Sequence, residues 1–496
     1  MNFRLTLRVL GGLMMFLGVM LLTPIPFSLW YRTADGFHDG ALWAFVASSL
    51  ITVAAGAAAY RLVEARGEMT YREGFGIVTF GWIGYALFGS LPYLLVGVPG
   101  VASPADAFFE AMSGFSTTGS TVLTGLDSLP RSLLFWRSMT QWLGGMGMIV
   151  LSLAILPFLG VGGMQLYEAE VPGPTKDRLS PRIQDTAKVL WAVYVLITAA
   201  EVGLLCIGGM NLFESLCHAL TTMATGGFST RDASLGDFNG FLQIVVTVFM
   251  FLAGVNFTLH YQALWRGTWR YWPSEEFRFY LAIAGSSTLL IALLLIVDPA
   301  IPGNPFVKLQ QAAFQAVSLL TTTGYVTADY EKWPAMAQYI LVTLMFVGGS
   351  AGSTAGSIKV VRILLVLKHA FLQLSRLIHP REVRILRLDK QPVSSEVIQS
   401  ILGFFALFVT LFVVASVIMA AILPPNADGS PELLTAATSV VSALGNVGPG
   451  LGTVGPTETY AELPMLGKLV LALCMLVGRL ELFTVLVLFF PSFWRK

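Results

Sequence analysis

Residues 108–121 read FFEAMSGFSTTGST, a short apolar run that ends in a Ser/Thr/Gly peptide. Three comparable stretches follow: LFESLCHALTTMATGGFST at 212–230, AFQAVSLLTTTGYVT at 313–327 and LTAATSVVSALGNVGPG at 434–450. Their glycines, Gly119, Gly227, Gly324 and Gly448, are separated by 108, 97 and 124 residues. The apolar runs leading to them lie at 104–116, 211–223, 304–321 and 431–444. A bilayer crossing takes about 20 apolar residues, so these runs are too short to span. They suit half-helices that enter and leave on one side, which a membrane tolerates only when they are buried in protein or line a wet cavity.

Outward from these runs lie ten longer apolar stretches, at 5–30, 41–63, 74–97, 132–159, 187–209, 240–265, 277–298, 336–371, 396–423 and 465–490. Stretch 336–371 exceeds one crossing and has a glycine-rich middle. Each half-helix sits between two spans, and two spans precede them all. The expected fold is an all-α polytopic membrane protein, with an N-terminal two-span unit (1–70) and four repeats. The repeats cover 71–185, 186–274, 275–392 and 393–496, the third with a broken second helix.

Composition agrees. Of 496 residues, 55% are hydrophobic and 12% charged, with mean hydropathy +0.72. A soluble domain carries about 25% charged residues. Soluble enzymes, disulfide scaffolds, disordered chains and nucleic-acid binders are therefore excluded. Cys206, Cys217 and Cys474 are an odd, scattered set without metal-ligand spacing; they read as buried small residues. Arg4 and Arg8 precede an apolar run that continues without a cleavage signal, so it reads as a retained span.

The net charge of +1 hides an asymmetry. With alternating spans, Lys and Arg number 22 on the side of both termini and 7 on the side of the four short runs. The positive-inside rule then puts both termini in the cytoplasm. Counting Asp and Glu, the inner face carries +10 and the outer face −8. An acidic mouth concentrates cations.

The loops supply the matching chemistry. A dehydrated cation needs replacement oxygens, and four loops around one axis can offer a ring of backbone carbonyls. Glycine permits backbone conformations that a Cβ forbids. Each half-helix aims its negative end at the ion path. One such peptide alone reads as close helix packing; four copies at similar spacing point to a filter.

Five longer stretches are WRSMTQWLGGMGMIVL (136–151), ALTTMATGGFST (219–230), AGVNFTLHY (253–261), GGSAGSTAGSIKVVRILL (348–365) and GRLELFTVLVLFFP (478–491). On these the chain resembles the Trk/Ktr/HKT superfamily of potassium transporters, nearest its TrkH branch, over nearly the whole length. The resemblance implies a potassium-channel-like fold, with four non-identical M1–P–M2 repeats around one pore. It implies a homodimer with one pore per protomer, and a cytosolic TrkA-like nucleotide-binding ring that gates it. The transported ion is potassium, with no tightly bound organic cofactor. The potassium filter falls on Thr117, Thr118 and Gly119; Thr225, Gly226 and Gly227; Thr322, Thr323 and Gly324; and Asn446, Val447 and Gly448. In the second loop Gly227 is aligned because Phe228 follows it, and the fourth loop lacks the TTG form. Sodium-preferring plant relatives often carry serine at the first-loop glycine, so Gly119 favours potassium.

The GGSAGSTAG stretch (348–356) has two readings. Gly348, Gly352 and Gly356, four apart, fit small-residue helix packing. Four glycines in nine residues, with Ser350, Ser353 and Thr354, also fit an unwound segment facing a wet cavity. The resemblance makes it an intramembrane gate of Gly348, Gly349, Gly352, Ser353, Thr354 and Gly356, with Arg479 as an electrostatic barrier below the filter. Arg479 otherwise pairs with a carboxylate such as Glu201, because a central arginine costs about 2.5–3.5 kcal/mol on insertion scales. Asn256 and His260, four apart, share a helix face and make interhelical hydrogen bonds. His218 on the second half-helix reads as packing. The basic run 376–390 serves topology, lipid head groups or a cytosolic regulator.

The function expected is potassium uptake across a cell membrane, the bacterial inner membrane, through a gated pore. The alternative is a proton- or sodium-coupled symporter, for which Glu201 and His260 are the candidate coupling residues. A polytopic enzyme would cluster His, Asp or Cys at one face. His38–Asp39 is an adjacent His/Asp pair, and it has no second half.

Overall fold

The computed structural model describes residues 2–31, 38–62, 70–154, 180–380, 385–425 and 431–495. Much of the cytoplasmic loop expected at 160–188 lies outside them, as do 63–69 and 381–384 with the charges counted there. The side chains of His38 and Asp39 are likewise outside the description.

The described chain is helical apart from one hairpin of two-residue strands, β1 (Arg387–Leu388) and β2 (Gln391–Pro392), paired antiparallel with Leu388 opposite Gln391. The N-terminal unit is α1 (Phe3–Met20), α2 (Ile25–Trp30) and α3 (His38–Leu62). Gly11 of α1 and Gly56 of α3 face each other so closely that a Cβ on either would meet the other's carbonyl oxygen. That is the small-residue contact by which helices pack in lipid.

The rest runs in one order four times. First come α4 (Tyr71–Gly89) and α5 (Leu91–Val96), then short α6 (Pro104–Phe115) and α7 (Arg131–Ala154). Next are α8 (Ser180–Ile207), short α9 (Leu212–Met223), α10 (Gly240–Ala253) and α11 (Phe257–Arg266). Third are α12 (Glu275–Val297), short α13 (Pro305–Leu320), α14 (Ala335–Val347) and α15 (Val360–Ile378). Last are α16 (Ser395–Ile422), short α17 (Leu433–Gly445), α18 (Met465–Arg479), α19 (Phe483–Leu486) and α20 (Pro491–Trp494).

The surface is that of a membrane protein, apolar outside with polar residues within. Helix α16 exposes Val409, Val413, Val417 and Ile418, whereas Thr118, Gln141, Glu201 and Thr322 are buried. Lipid accepts the former, and the latter need the interior. Among the described residues, six helices are long and apolar enough to cross a membrane.

Two stretches expected as single spans are bent. Helices α10 and α11 meet at 99°, and α18 meets the segment from Phe483 to Phe489 at 111°. At the first bend Asn256 leaves the helix and caps α11, its Oδ1 accepting from Thr258 N at 2.8 Å. So Asn256 and His260 do not share a helix face. His260 instead bonds Tyr271 Oη at 2.8 Å and the Leu252 carbonyl at 2.9 Å. At the second bend Glu481 and Leu482 take positive φ. Stretch 336–371 is also broken: it unwinds from Gly348 to Lys359, so its spaced glycines do not form a packing face.

Cys217 is buried, while Cys206 and Cys474 are only partly covered; all three are free thiols.

Candidate functional site

The short helices are held at both ends. Polar caps start three of them: Ser103 accepts from Asp106 N, Asn211 from Glu214 N and Asn304 from Val307 N, at 3.3, 2.8 and 2.9 Å. Such caps satisfy otherwise orphaned N–H groups. The fourth, α17, follows Glu432 without a side-chain cap.

All four end in one backbone turn. Thr117, Thr225, Thr322 and Asn446 each adopt a left-handed φ of 52–58°. Their N–H groups donate three residues back, to Gly114, Thr222, Leu319 and Ala443. The next N–H groups donate five residues back, to Ser113, Thr221, Ser318 and Ser442. This is the double hydrogen bond of a Schellman cap. A β-branched threonine is strained at positive φ, and such strain persists where the surroundings over-determine it, commonly at functional positions. Asparagine tolerates this region, which explains how the fourth loop keeps the turn without a TTG peptide. Two residues on, Gly119, Gly227, Gly324 and Gly448 are again at positive φ. The four loops therefore share one register.

The loops also close on one another in chain order. A Cβ on Gly119 would stand within 3.0 Å of the Gly226 carbonyl oxygen, one on Gly227 within 3.0 Å of Thr323 O, and one on Gly324 within 3.0 Å of Val447 O. A Cβ on Gly448 would meet Thr118 O at 2.9 Å, which completes the circle. The helices follow the same rotation. Short helix α9 packs on α7, α13 on α10, α17 on α14, and α6 on α18. A buried ion pair between Lys468 and Asp106, at 2.6 Å, joins α18 to α6.

At the first residue of each turn the oxygens differ. Thr117 Oγ1 and Asn446 Oδ1 are buried without a hydrogen-bond partner among the described residues. Thr225 Oγ1 donates to Ala224 O, and Thr322 Oγ1 accepts from Gly356 N at 2.7 Å. That last bond ties the unwound 348–359 segment to the third loop. Thr354 Oγ1 reaches the carbonyls of Met223 and Ala253, and Gly356 abuts Gly445 O. Ser353 Oγ donates to Ser350 O, and Val360 N to Gly349 O.

Arg479, 1% exposed, ends α18. Its Nη1 donates to Thr354 O at 2.8 Å and its Nη2 to Gly144 O at 3.3 Å. The suggested pairing with Glu201 is not observed, because backbone carbonyls take the guanidinium. Glu481 pairs with Arg362 instead. His218 is buried, bonded to Glu214 O and Ser229 Oγ.

Sequence reasoning missed a brace behind the first two loops. Glu110 on α6 bonds Arg137 Nε at 2.8 Å, Thr121 Oγ1 and Val122 N. Arg137 goes on to Ser229 O and stacks over the Phe228 ring at 4.1 Å. Arg137 and Gln141 are polar residues four apart in an apolar run, which was the available signal. Removing one partner of a buried ion pair typically costs about 3–5 kcal/mol. Glu110→Ala is therefore expected to lower the unfolding midpoint in detergent markedly, and an unchanged midpoint would show that the pair carries no stability.

A family model described as TrkH, cation transport protein, matches residues 41–496. The chain is 41% identical to the Trk system potassium uptake protein TrkH of Halomonas elongata and 40% identical to that of Escherichia coli K12, covering 100% of both chains in each case. It is 33% identical to the E. coli Trk system potassium uptake protein TrkG, over 99% of both. The crystal structure of the potassium transporter TrkH from Vibrio parahaemolyticus superposes with a TM-score of 0.89, at 37% identity and full coverage of both chains.

Proposed function

The chain belongs to the TrkH family of cation transport proteins, membrane transporters rather than enzymes, and from that premise we propose that it takes up potassium through one pore whose filter is the four loops. Units 71–185, 186–274, 275–392 and 393–496 are the four pore repeats, after an N-terminal unit at 1–70. The observation that carries this reading is the circle of contacts from Gly119 through Gly227 and Gly324 to Gly448. Four backbone loops meeting in rotation offer carbonyl dipoles that replace the water around a potassium ion. The unpartnered oxygens of Thr117 and Asn446 support an ion position at the inner end of the filter.

Below it, the 348–359 segment is the gate, and Arg479 is both its latch and a positive barrier. Both termini face the cytoplasm of a bacterial inner membrane. The protein works as a homodimer among membrane lipids, and a cytosolic TrkA-like nucleotide-binding ring docks on its basic inner face.

A second reading, proton-coupled symport, draws on one observation. Glu201 is fully buried on α8, and neither of its carboxyl oxygens has a hydrogen-bond partner among the described residues. Flux in proteoliposomes with potassium, rubidium, sodium and lithium, with and without a pH gradient, separates the two. The pore predicts reversal at the potassium equilibrium potential whatever the proton gradient. A reversal potential that follows the pH gradient would establish symport.

A further inference from the structure

Among the four ring carbonyls, those of Thr118, Gly226, Thr323 and Val447, one differs. Gly226 O accepts a hydrogen bond from a side chain, Gln141 Nε2 on α7, at 2.7 Å. The same amide takes the Phe228 N–H on its Oε1 at 3.1 Å. Gln141 thus grips the second loop on both sides of Gly227. It is fully buried.

The second loop needs this grip because its middle residue has no side chain. In the first and third loops the middle residue is threonine, and its hydroxyl bonds a neighbour in the same loop: Thr118 to Ser116 at 2.7 Å, Thr323 to Thr321 at 2.8 Å. In the fourth it is Val447, which is buried. In the second, the corresponding residues are Ala224 and Gly226, which have no hydroxyl. A Cβ on Gly226 would stand within 3.0 Å of Gln141 Cδ, Oε1 and Nε2. The amide of Gln141 therefore occupies the space that a Gly226 side chain would take. One helical turn earlier on α7, Arg137 holds the following residues through Ser229 O and the Phe228 ring.

We propose that Gln141 is a positioning residue for ion discrimination, which holds the Gly226 carbonyl and tempers its field. This rests on the filter reading above. Selectivity depends on the number and field strength of the coordinating carbonyls. A carbonyl that shares its lone pairs with an N–H donor offers a cation less, and it is not free to collapse around a smaller ion. Released from Gln141, the Gly226 carbonyl would favour sodium.

The test is uptake of potassium and of sodium by the full-length protein in proteoliposomes, read as the ratio of the two. Gln141→Met keeps the volume and loses both hydrogen bonds. Gln141→Glu keeps the acceptor for Phe228 N and loses the donor to Gly226. Since a net hydrogen bond is worth about 1 kcal/mol, the potassium-to-sodium ratio is expected to fall about five- to tenfold in both. Gly226→Ala reads the same contact from the other side and should lower the ratio alone. It should add little to Gln141→Ala, which vacates the space, because contacting residues are not additive. An unchanged ratio in Gln141→Met and Gln141→Glu overturns the inference, and so does full additivity of the alanine pair. If the unsubstituted protein takes up no potassium at all, the filter reading fails first and this inference with it.

Discussion

Potassium uptake is expected to fall at least about 100-fold, equivalent to roughly 2.7 kcal/mol, when Gly324 is replaced by alanine. Gly324 has φ +79°, and a Cβ there would lie within 3.0 Å of Val447 O and of Pro449 Cδ. The left-handed backbone alone costs an L-residue about 1–2 kcal/mol. The rest of the loss comes from the Val447 carbonyl, which belongs to the ring and must move. Neither neighbour is the far end of a flexible side chain, so the strain has no cheap outlet. Gly303→Ala is the control. Gly303 also has positive φ, but its Cβ would meet only Val307, at 3.4 Å and beyond. It should keep uptake intact. The measurement is rubidium or potassium uptake per folded protein in proteoliposomes, and normal uptake by Gly324→Ala would remove the third loop from the filter.

Replacing Arg479 with alanine is expected to act in the opposite direction, raising cation flux about tenfold, or ~1.4 kcal/mol. The change deletes the bonds to Thr354 O and Gly144 O that hold the unwound segment against α7. It also removes a buried positive charge, which on the proposed pore would repel a cation. Arg479→Lys separates these effects. It keeps the charge and gives up the two-pronged grip. Flux that stays low in the lysine variant assigns the barrier to charge; flux that rises as in alanine assigns it to the latch. Unchanged flux in Arg479→Ala, or a lower folded yield without any gain, would leave Arg479 a purely structural residue.

The loops were legible because glycine, threonine and asparagine have local backbone consequences. The turn at each short helix end needs only its own few residues, so Thr117, Thr225, Thr322 and Asn446 fall at equivalent positions despite differing neighbours. The bends were not legible in the same way. Stretches 240–265 and 465–490 have the hydropathy of continuous spans, and hydropathy does not register Asn256 capping a new helix or the positive φ of Glu481 and Leu482. Arg479 offered a carboxylate partner by charge alone, yet its guanidinium went to the Thr354 carbonyl of the unwound segment and to Gly144 O on α7.

From the residues alone came the membrane class, the broken stretch at 348–356 as one of two readings, and four glycine loops at similar spacing. These depend on composition, run length and local backbone freedom, which a chain carries wherever it folds. The tertiary structure decided which loop touches which, and it gave the second loop its amide from Gln141, 85 residues away. It also set Asn446 Nδ2 against Thr118 Oγ1, 328 residues apart. Such partners are chosen by the closing of the four loops on one another. No local pattern encodes that closure, because each contact exists only once the fourth loop has packed against the first.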